Sequence, residues 1–271
     1  MKKIYIIKAN GQSVPFDPNK VIGTCIRAGA SKKMAKRIAK KTMKMVHNGM
    51  STKHIYRIVL RNISEIDEGR AIKHKYRLKE SIMRMGPAGF PFESYVSQIL
   101  SHYGYKVEAV RKAVNGKCVT HEIDVVARLN NKRYMVECKY HHRRGIYTGL
   151  KDSLYTHARF LDLNNQFDEE ILSCNTKLSV DALTYAKCVG QNILCWKHPQ
   201  DRGLEKMIDE KGLYPITILS LNKMELMAFS KINFMIAKDL LTTDLNQLSR
   251  KTNIPYQRLQ GLQNQVRQIL A

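Results

Sequence analysis

Residues 121–144 read HEIDVVARLNNKRYMVECKYHHRR. Two alternating runs, Glu122 to Arg128 and Arg133 to Tyr140, flank Asn130-Asn131, residues that tolerate the positive φ of a tight hairpin turn. With a two-residue loop, positions whose numbers total 261 face each other, so Asp124 stands opposite Glu137 and Glu122 opposite Lys139. Side chains alternate along a strand, which puts Glu122 and Asp124 on one face and Glu137 and Lys139 on one face. The opposite faces carry Ile123, Val125, Ala127, Val136 and Cys138 and are expected to be core.

Two carboxylates set directly opposite each other repel. A divalent cation turns that repulsion into a binding site, and Mg2+ takes one or two carboxylates together with waters and phosphate oxygens. A lysine two residues from the second acid can stabilise charge developing on a phosphoryl group or orient an attacking water. The plain alternative is a surface strand pair carrying a Glu122–Lys139 ion pair. On the catalytic reading Glu137 and Lys139 are working groups rather than core, and the fold is expected to survive their replacement.

Working outward, the strand pair sits among alternating strands and helices. Further strand-like runs fall at about 106–110, 171–174, 192–196 and 215–219, with helices at about 91–103, 148–161, 180–189 and 204–210. That alternation predicts a mixed sheet with helices on its faces. Upstream, a short strand at 3–8 and the turn Asn10-Gly11 precede helices at about 19–28, from Ser31 to Gly49, from Ser51, and at about 67–83. Gly86-Pro87-Ala88-Gly89 breaks the pattern and is the expected domain boundary. Downstream, Asp244 caps one helix, and Asn253-Ile254-Pro255 turns into another with Leu259, Leu262, Val266 and Ile269 on one side. These last helices read as a helix-turn-helix, a helix-hairpin-helix or a cap on the core. Their turn lacks the glycine usual in the first two.

The chain of 271 residues carries a formal charge of +23, unevenly spread. Residues 1–87 hold 21 Lys or Arg against 5 Asp or Glu (+16), and the remainder holds 25 against 18 (+7). One face of the second helix is Lys32, Lys33, Lys36, Lys40, Lys41 and Lys44. A field of this sign favours nucleic acid or nucleotides as partners. Six cysteines without a C-x-x-C pair argue against a zinc ribbon or a disulfide framework. There is no Walker-type or dinucleotide glycine motif. No apolar run is long enough to span a bilayer, and the N-terminus has no cleavable leader pattern, so a cytoplasmic protein is expected. His121, His141 and His142, with Arg143 and Arg144, are expected to meet phosphate or solvent rather than metal. Tyr103 and Tyr105 are expected to pack rather than to stack on bases.

Phe92-Glu93 at a helix start, Glu122-Ile123-Asp124 on one strand and Glu137-Cys138-Lys139 on the next resemble the PD-(D/E)xK superfamily, in its Mrr-like restriction endonuclease branch. Asn175-Thr176-Lys177, Asp181-Ala182, Tyr185-Ala186 and Trp196 extend the likeness over roughly residues 88–220. The resemblance implies that Asp124 and Glu137 bind Mg2+ or Mn2+, that Lys139 assists the nucleophile, and that Glu93 supports the metal from its helix. Ile6-Ile7-Lys8, Asn10-Gly11, Val14-Pro15-Phe16-Asp17, Lys20-Val21 and Tyr76-Arg77 resemble an ATP-cone, a small regulatory domain that binds ATP or dATP. That resemblance implies Lys8, Gly11, Lys20 and Thr52 near the nucleotide. The chain departs from it at Ala9, where Arg is usual, and at Tyr56, where His is common.

The expected protein is therefore α/β. A mainly helical cone at 1–85 precedes a restriction-endonuclease-like mixed sheet at 88–228 and a helical tail at 229–271, a candidate for nucleic-acid binding. The expected function is a nucleotide-responsive, metal-dependent DNA endonuclease. A homodimer or higher homo-oligomer is expected, because cutting both strands needs two active centres. The competing class is a non-catalytic, nucleotide-gated DNA-binding protein with a nuclease-like fold.

Overall fold

The computed structural model describes residues 3–66, 69–86, 90–143 and 145–270. The expected helix start at Asp67, most of the boundary 86–89, and Arg144 lie outside them. The protein is mixed α/β, and the chain divides into two compact units. The first takes residues 1–81, 218–220 and 240–271; the second takes 82–217 and 221–239. The expected helical tail is thus split between them: its first part packs with the sheet unit and the rest with the N-terminal unit.

In the first unit, β1 (Tyr5–Ile7) pairs antiparallel with β2 (Ser13–Pro15). Helix α1 (Pro18–Arg27) starts where Asp17 accepts the Asn19 N–H at 2.9 Å and Pro18 supplies a φ suited to a first turn. Helix α2 (Lys32–Met43) is capped by Ser31 and buries Ala35, Ile38, Ala39 and Thr42, leaving its lysine face in solvent. It ends at Met43, short of Gly49, so Met45, expected inside, is exposed. The next turn carries Gly49 at φ 79 and feeds β3 (Met50–Ser51), which lies parallel to β1. Then come α3 (Thr52–Ser64), α4 (Gly69–Tyr76) and α5 (Leu78–Ile82); the single helix expected at 67–83 is broken at Arg77. Val21, Cys25, Ile38, Ile55, Val59 and Ile63 form the centre of this unit's core.

In the second unit, α6 (Phe90–His102) leads into β4 (Lys106–Asn115), β5 (Thr120–Leu129) and β6 (Lys132–Lys139). Strand β7 (Tyr147–Thr148), α7 (Leu150–Asp162), β8 (Glu169–Cys174), β9 (Lys177–Leu178), α8 (Val180–Val189), β10 (Asn192–Cys195) and α9 (Leu204–Lys211) follow. The main sheet runs β10-β8-β6-β5-β4, antiparallel among β4, β5 and β6 and parallel from β6 to β10. Strands β7 and β9 form a separate parallel pair. Asn130 and Asn131 take φ 48 and 63, and the ladder from Leu129↔Lys132 to Val125↔Val136 keeps the register expected from the two-residue turn.

The expected division into one core face and one working face does not hold. Val125, Val126 and Ala127 are consecutively buried, as are Met135 to Cys138, because helices cover both sides of the central strands. The strand expected at 215–219 is instead a 3-10 turn over Ile216–Ile218. Its apolar run is buried throughout, but Pro215 has no N–H to give to a ladder. Helix α10 (Lys223–Lys231) opens on a reciprocal cap between Asn222 and Glu225. Back in the first unit, α11 (Leu245–Thr252) and α12 (Tyr256–Leu270) are joined by three residues. Asn253 in that turn has φ 57, supplying the left-handed conformation that glycine would otherwise provide. Among the described residues, no helix is long and apolar enough to cross a membrane.

Candidate active site

The β5–β6 ladder stops at Val125↔Val136, one residue short of the acids. Beyond it the Asp124 carboxylate takes over, with Oδ2 accepting the Cys138 N–H at 2.7 Å. On the other side, the pairs Lys112↔Ile123 and Val110↔Val125 put Arg111 level with Asp124. Arg111 has φ 55, a strained conformation for a strand residue that persists only where the surroundings enforce it. Its guanidinium reaches Glu122 Oε1 at 3.1 Å and lies 3.9 Å from Glu93 Oε2.

Glu137 is 4% exposed. Its Oε1 accepts from Lys139 Nζ at 2.6 Å, and its Oε2 accepts from Arg159 Nη1. The second amine of Arg159 donates to the Glu122 carbonyl. The Glu122–Lys139 ion pair therefore does not form: Lys139 turns to Glu137 on its own strand, and Glu122 to Arg111. Glu137, expected as a working group outside the core whose replacement the fold would survive, is instead buried and paired. Removing it would strand the buried Arg159 cation.

Four carboxyls, Glu93, Glu122, Asp124 and Glu137, thus meet three cations, Arg111, Lys139 and Arg159. Burial, and then the charge of Glu137, push the Asp124 carboxyl up to about 7. Glu93 sits in the first turn of α6, and burial raises its carboxyl above the usual range although Arg111 opposes the shift. Its Oε2 is buried without a hydrogen-bond partner. For Lys139, burial works against the ammonium, but the charge and hydrogen bond of Glu137 prevail and raise its pKa. The exposed Tyr155 ring lies beneath both cations, 5.6 Å from Lys139 Nζ and 5.3 Å from Arg159 Cζ.

Among the described residues, no three His, Cys, Asp or Glu side chains close into a ready-made metal cluster. The donor chemistry nevertheless fits a hard cation. Asp124 is disfavoured as an anion by burial and by a second carboxylate, and Glu93 offers an unsatisfied buried oxygen. Arg159 and Lys139 neutralise Glu137.

Arg111 and Arg159 were not picked out from the sequence. Arg159 had one signal: with Ser153 and Thr156 it lies on the buried side of α7, where an unpaired arginine is costly. Two of the three histidines have structural partners. His121 Nε2 pairs with Asp162 Oδ2 at 2.7 Å, and His141 Nε2 meets Thr148 Oγ1 at 3.0 Å. His142 and Arg143 are exposed. Tyr103 donates to the Met207 carbonyl at 2.9 Å, and Tyr105 packs edge-on against Tyr134.

In the first unit the register Ile7↔Ser51 brings Lys8 beside the start of α3, whose first residue is Thr52. Lys8 Nζ donates to Gln12 Oε1 at 2.9 Å across a loop in which Gly11 takes φ 81. Lys20 is exposed in the first turn of α1, and no hydrogen bond joins it to Lys8 or Thr52 among the described residues. Tyr56 donates to Glu80 at 2.6 Å and stacks on Tyr76.

The sheet and its buried charge cluster define a mixed α/β protein with a polar, part-buried centre at its central strands. The chain belongs to the AF1548-like family. An uncharacterised protein of Archaeoglobus fulgidus is 38% identical over 154 residues, covering 56% of this chain and 87% of that protein. The family model for the AF1548-like C-terminal region matches residues 214–270. The crystal structure of AF1548, a protein of unknown function, matches at 34% identity and a TM-score of 0.61, covering 67% of this chain and 97% of that one. Can2 of Sulfobacillus thermosulfidooxidans, solved with cyclic tetra-adenylate, matches at 13% identity and a TM-score of only 0.30 over 74% of this chain and 64% of that one.

Proposed function

We propose that the second unit is a divalent-metal-dependent nuclease centre acting on DNA, and that the first unit makes it responsive to ATP or dATP. The observation that carries the reading is Asp124 beside Glu137 at the point where the β5–β6 ladder gives way, with Lys139 two residues on. A carboxyl raised as far as that of Asp124, at a sheet's irregularity, favours chemistry over structure.

In this reading Asp124 and Glu137 hold Mg2+ or Mn2+, with Glu93 in support. The cation, when bound, supplies neutralisation of the scissile phosphate and Lewis-acid polarisation of its oxygens. Lys139 orients the attacking water or meets the charge developing on phosphorus. Arg159 fixes the position of Glu137, and Arg111 holds Glu122 beside Glu93. A duplex needs two such centres for a double-strand cut, so the working form is a homodimer or larger. Lys8 and the start of α3, where Ser51 caps the His54 N–H at 3.2 Å, support nucleotide binding, since a helix start favours phosphate. The exposed lysine face of α2 supports a polyanionic partner.

One observation favours a second reading, a non-catalytic DNA-binding protein: Arg159 already neutralises Glu137. The test is incubation of the full chain with plasmid DNA in Mg2+ or Mn2+, with and without ATP or dATP. Metal-dependent nicking that changes with nucleotide supports the proposal. Tight binding without nicking at any metal or nucleotide concentration supports the second reading.

A further inference from the structure

The first unit ends in two helices that the nuclease reading leaves unused. Helix α11 runs eight residues, Leu245–Thr252, and the turn Asn253-Ile254-Pro255 leads into the fifteen-residue α12, Tyr256–Leu270. Asn253 at φ 57 closes the turn without a glycine. Leu248, Ile254, Leu259, Leu262, Val266 and Ile269 are all buried, which locks the two helices and the turn into one element.

The opposite side of α12 is unusual in composition. Its sequence YQRLQGLQNQVRQIL contains no acidic residue, and its exposed positions include Tyr256, Gln257, Gln260, Asn264, Arg267 and Gln268. Other glutamines of the helix are engaged inward: Gln265 accepts the Ser220 N–H at 3.1 Å, and Gln263 donates to the Leu240 carbonyl at 2.7 Å. Among the described residues, Gln257, Gln260 and Gln268 make no side-chain hydrogen bond. A merely solvated helix face is served by Lys and Glu pairs at i,i+4. This one instead presents amides, each a paired donor and acceptor, beside the exposed cations Arg250 and Lys251 at the end of α11.

We propose that α11, the turn and α12 form a helix-turn-helix whose second helix reads base edges in the major groove of duplex DNA. Gln257 and Gln260, in the first turns of α12, are the base-reading residues; Gln and Asn match adenine's donor–acceptor edge. Arg250 and Lys251 meet phosphate as the first helix crosses the backbone. Duplex RNA is excluded as the partner, because its major groove is too deep and narrow to admit a helix. The inference shares with the nuclease reading only its substrate class, and it assigns sequence preference to a unit that does not hold the carboxylates.

The experiment is selection of a random-core DNA duplex library on the full chain in EDTA, followed by anisotropy titrations at one salt concentration. A recovered consensus is expected. The double variant Gln257→Ala/Gln260→Ala should bind the recovered duplex on the order of tenfold more weakly or worse, and a shuffled duplex within about twofold of wild type. Gln268→Ala, farther along the helix, should leave both affinities within about twofold, and an RNA duplex of the recovered sequence should bind no better than shuffled DNA. Absence of enrichment overturns the proposal, as does equal weakening of both duplexes, an unchanged affinity for the recovered one, or equal affinity for the RNA. Because EDTA removes the metals, the selection reads binding alone; a chain that selects a sequence there and never nicks plasmid DNA when Mg2+ or Mn2+ is supplied would sink the nuclease reading and leave this one standing.

Discussion

The two units use charge in opposite ways. The first holds 24 Lys or Arg against 6 Asp or Glu, a formal +18, yet buries no charged side chain among its described residues. The second holds 22 against 17, only +5, yet buries Glu137, Arg159, Glu170 and Glu225. Charge on the outside, fully solvated, sets the long-range field and so the kind of partner. Charge on the inside costs desolvation energy and persists only where each group has a partner or a task. The bulk charge of a chain therefore points to what it meets, and its buried charge to what it does.

The largest expected effect lies in the second unit. Lys139→Ala and Asp124→Asn should each lower nicking of plasmid DNA by about a hundredfold or more, the scale of losing one group that stabilises developing charge. Gel assays under single-turnover conditions decide this, and near-wild-type nicking by either variant would remove the buried cluster from the chemistry.

Next in size is stability. Glu137→Leu and Arg159→Leu should each destabilise the chain by about 3–5 kcal/mol, because each strands a buried partner. The double variant should be no less stable than either single one, since two apolar groups replace a buried pair. Denaturant titrations of all four proteins measure the coupling, and additive losses would show that the pair is not a unit.

A smaller effect sharpens the exterior half of the comparison. Lys36→Ala/Lys40→Ala on α2 should flatten the dependence of log affinity for DNA on log salt by about 2 while leaving unfolding unchanged. A slope equal to wild type would mean that these lysines serve solubility or nucleotide rather than DNA.

The smallest concerns Asp162, whose carboxylate accepts the Cys118 N–H at 2.8 Å and meets His121 at 2.7 Å. Hydrogen bonds from Cys118 and His121 hold its pKa far below the ordinary carboxylate range. A depressed folded pKa contributes stability above the unfolded value of about 3.9, lost as pH falls toward the folded value. The Tm advantage of wild type over Asp162→Asn should be flat from neutral pH to about pH 5 and shrink below about pH 4.

What the sequence made legible was local. The Asn130-Asn131 turn, the register it sets, and the shared face of Glu137 and Lys139 follow from φ preferences and alternation over twenty residues. The caps Ser31, Ser51 and Asp244 were readable for the same reason. What escaped was tertiary. Arg159 reaches Glu137 across 22 positions, and Arg111, whose backbone takes a positive φ, lies 3.9 Å from Glu93. Burial of both faces of β5 and β6 depends on helices far along the chain. The run 215–219 is apolar enough for a strand, and its turn reflects both its packing and Pro215, which has no N–H for a ladder. The split of the tail is of the same kind: nothing local tells α10 and α11 that they pack in different units.

The central claim is that the buried carboxylates of the second unit hold a divalent cation. Calorimetric titration of Mn2+ into the full chain, beside Asp124→Asn, tests it without reference to cleavage. The account predicts saturable binding by the wild-type chain and its loss in the variant. No saturable binding by wild type, or binding that survives the variant, would contradict it and leave Arg159 as the permanent counter-ion of Glu137.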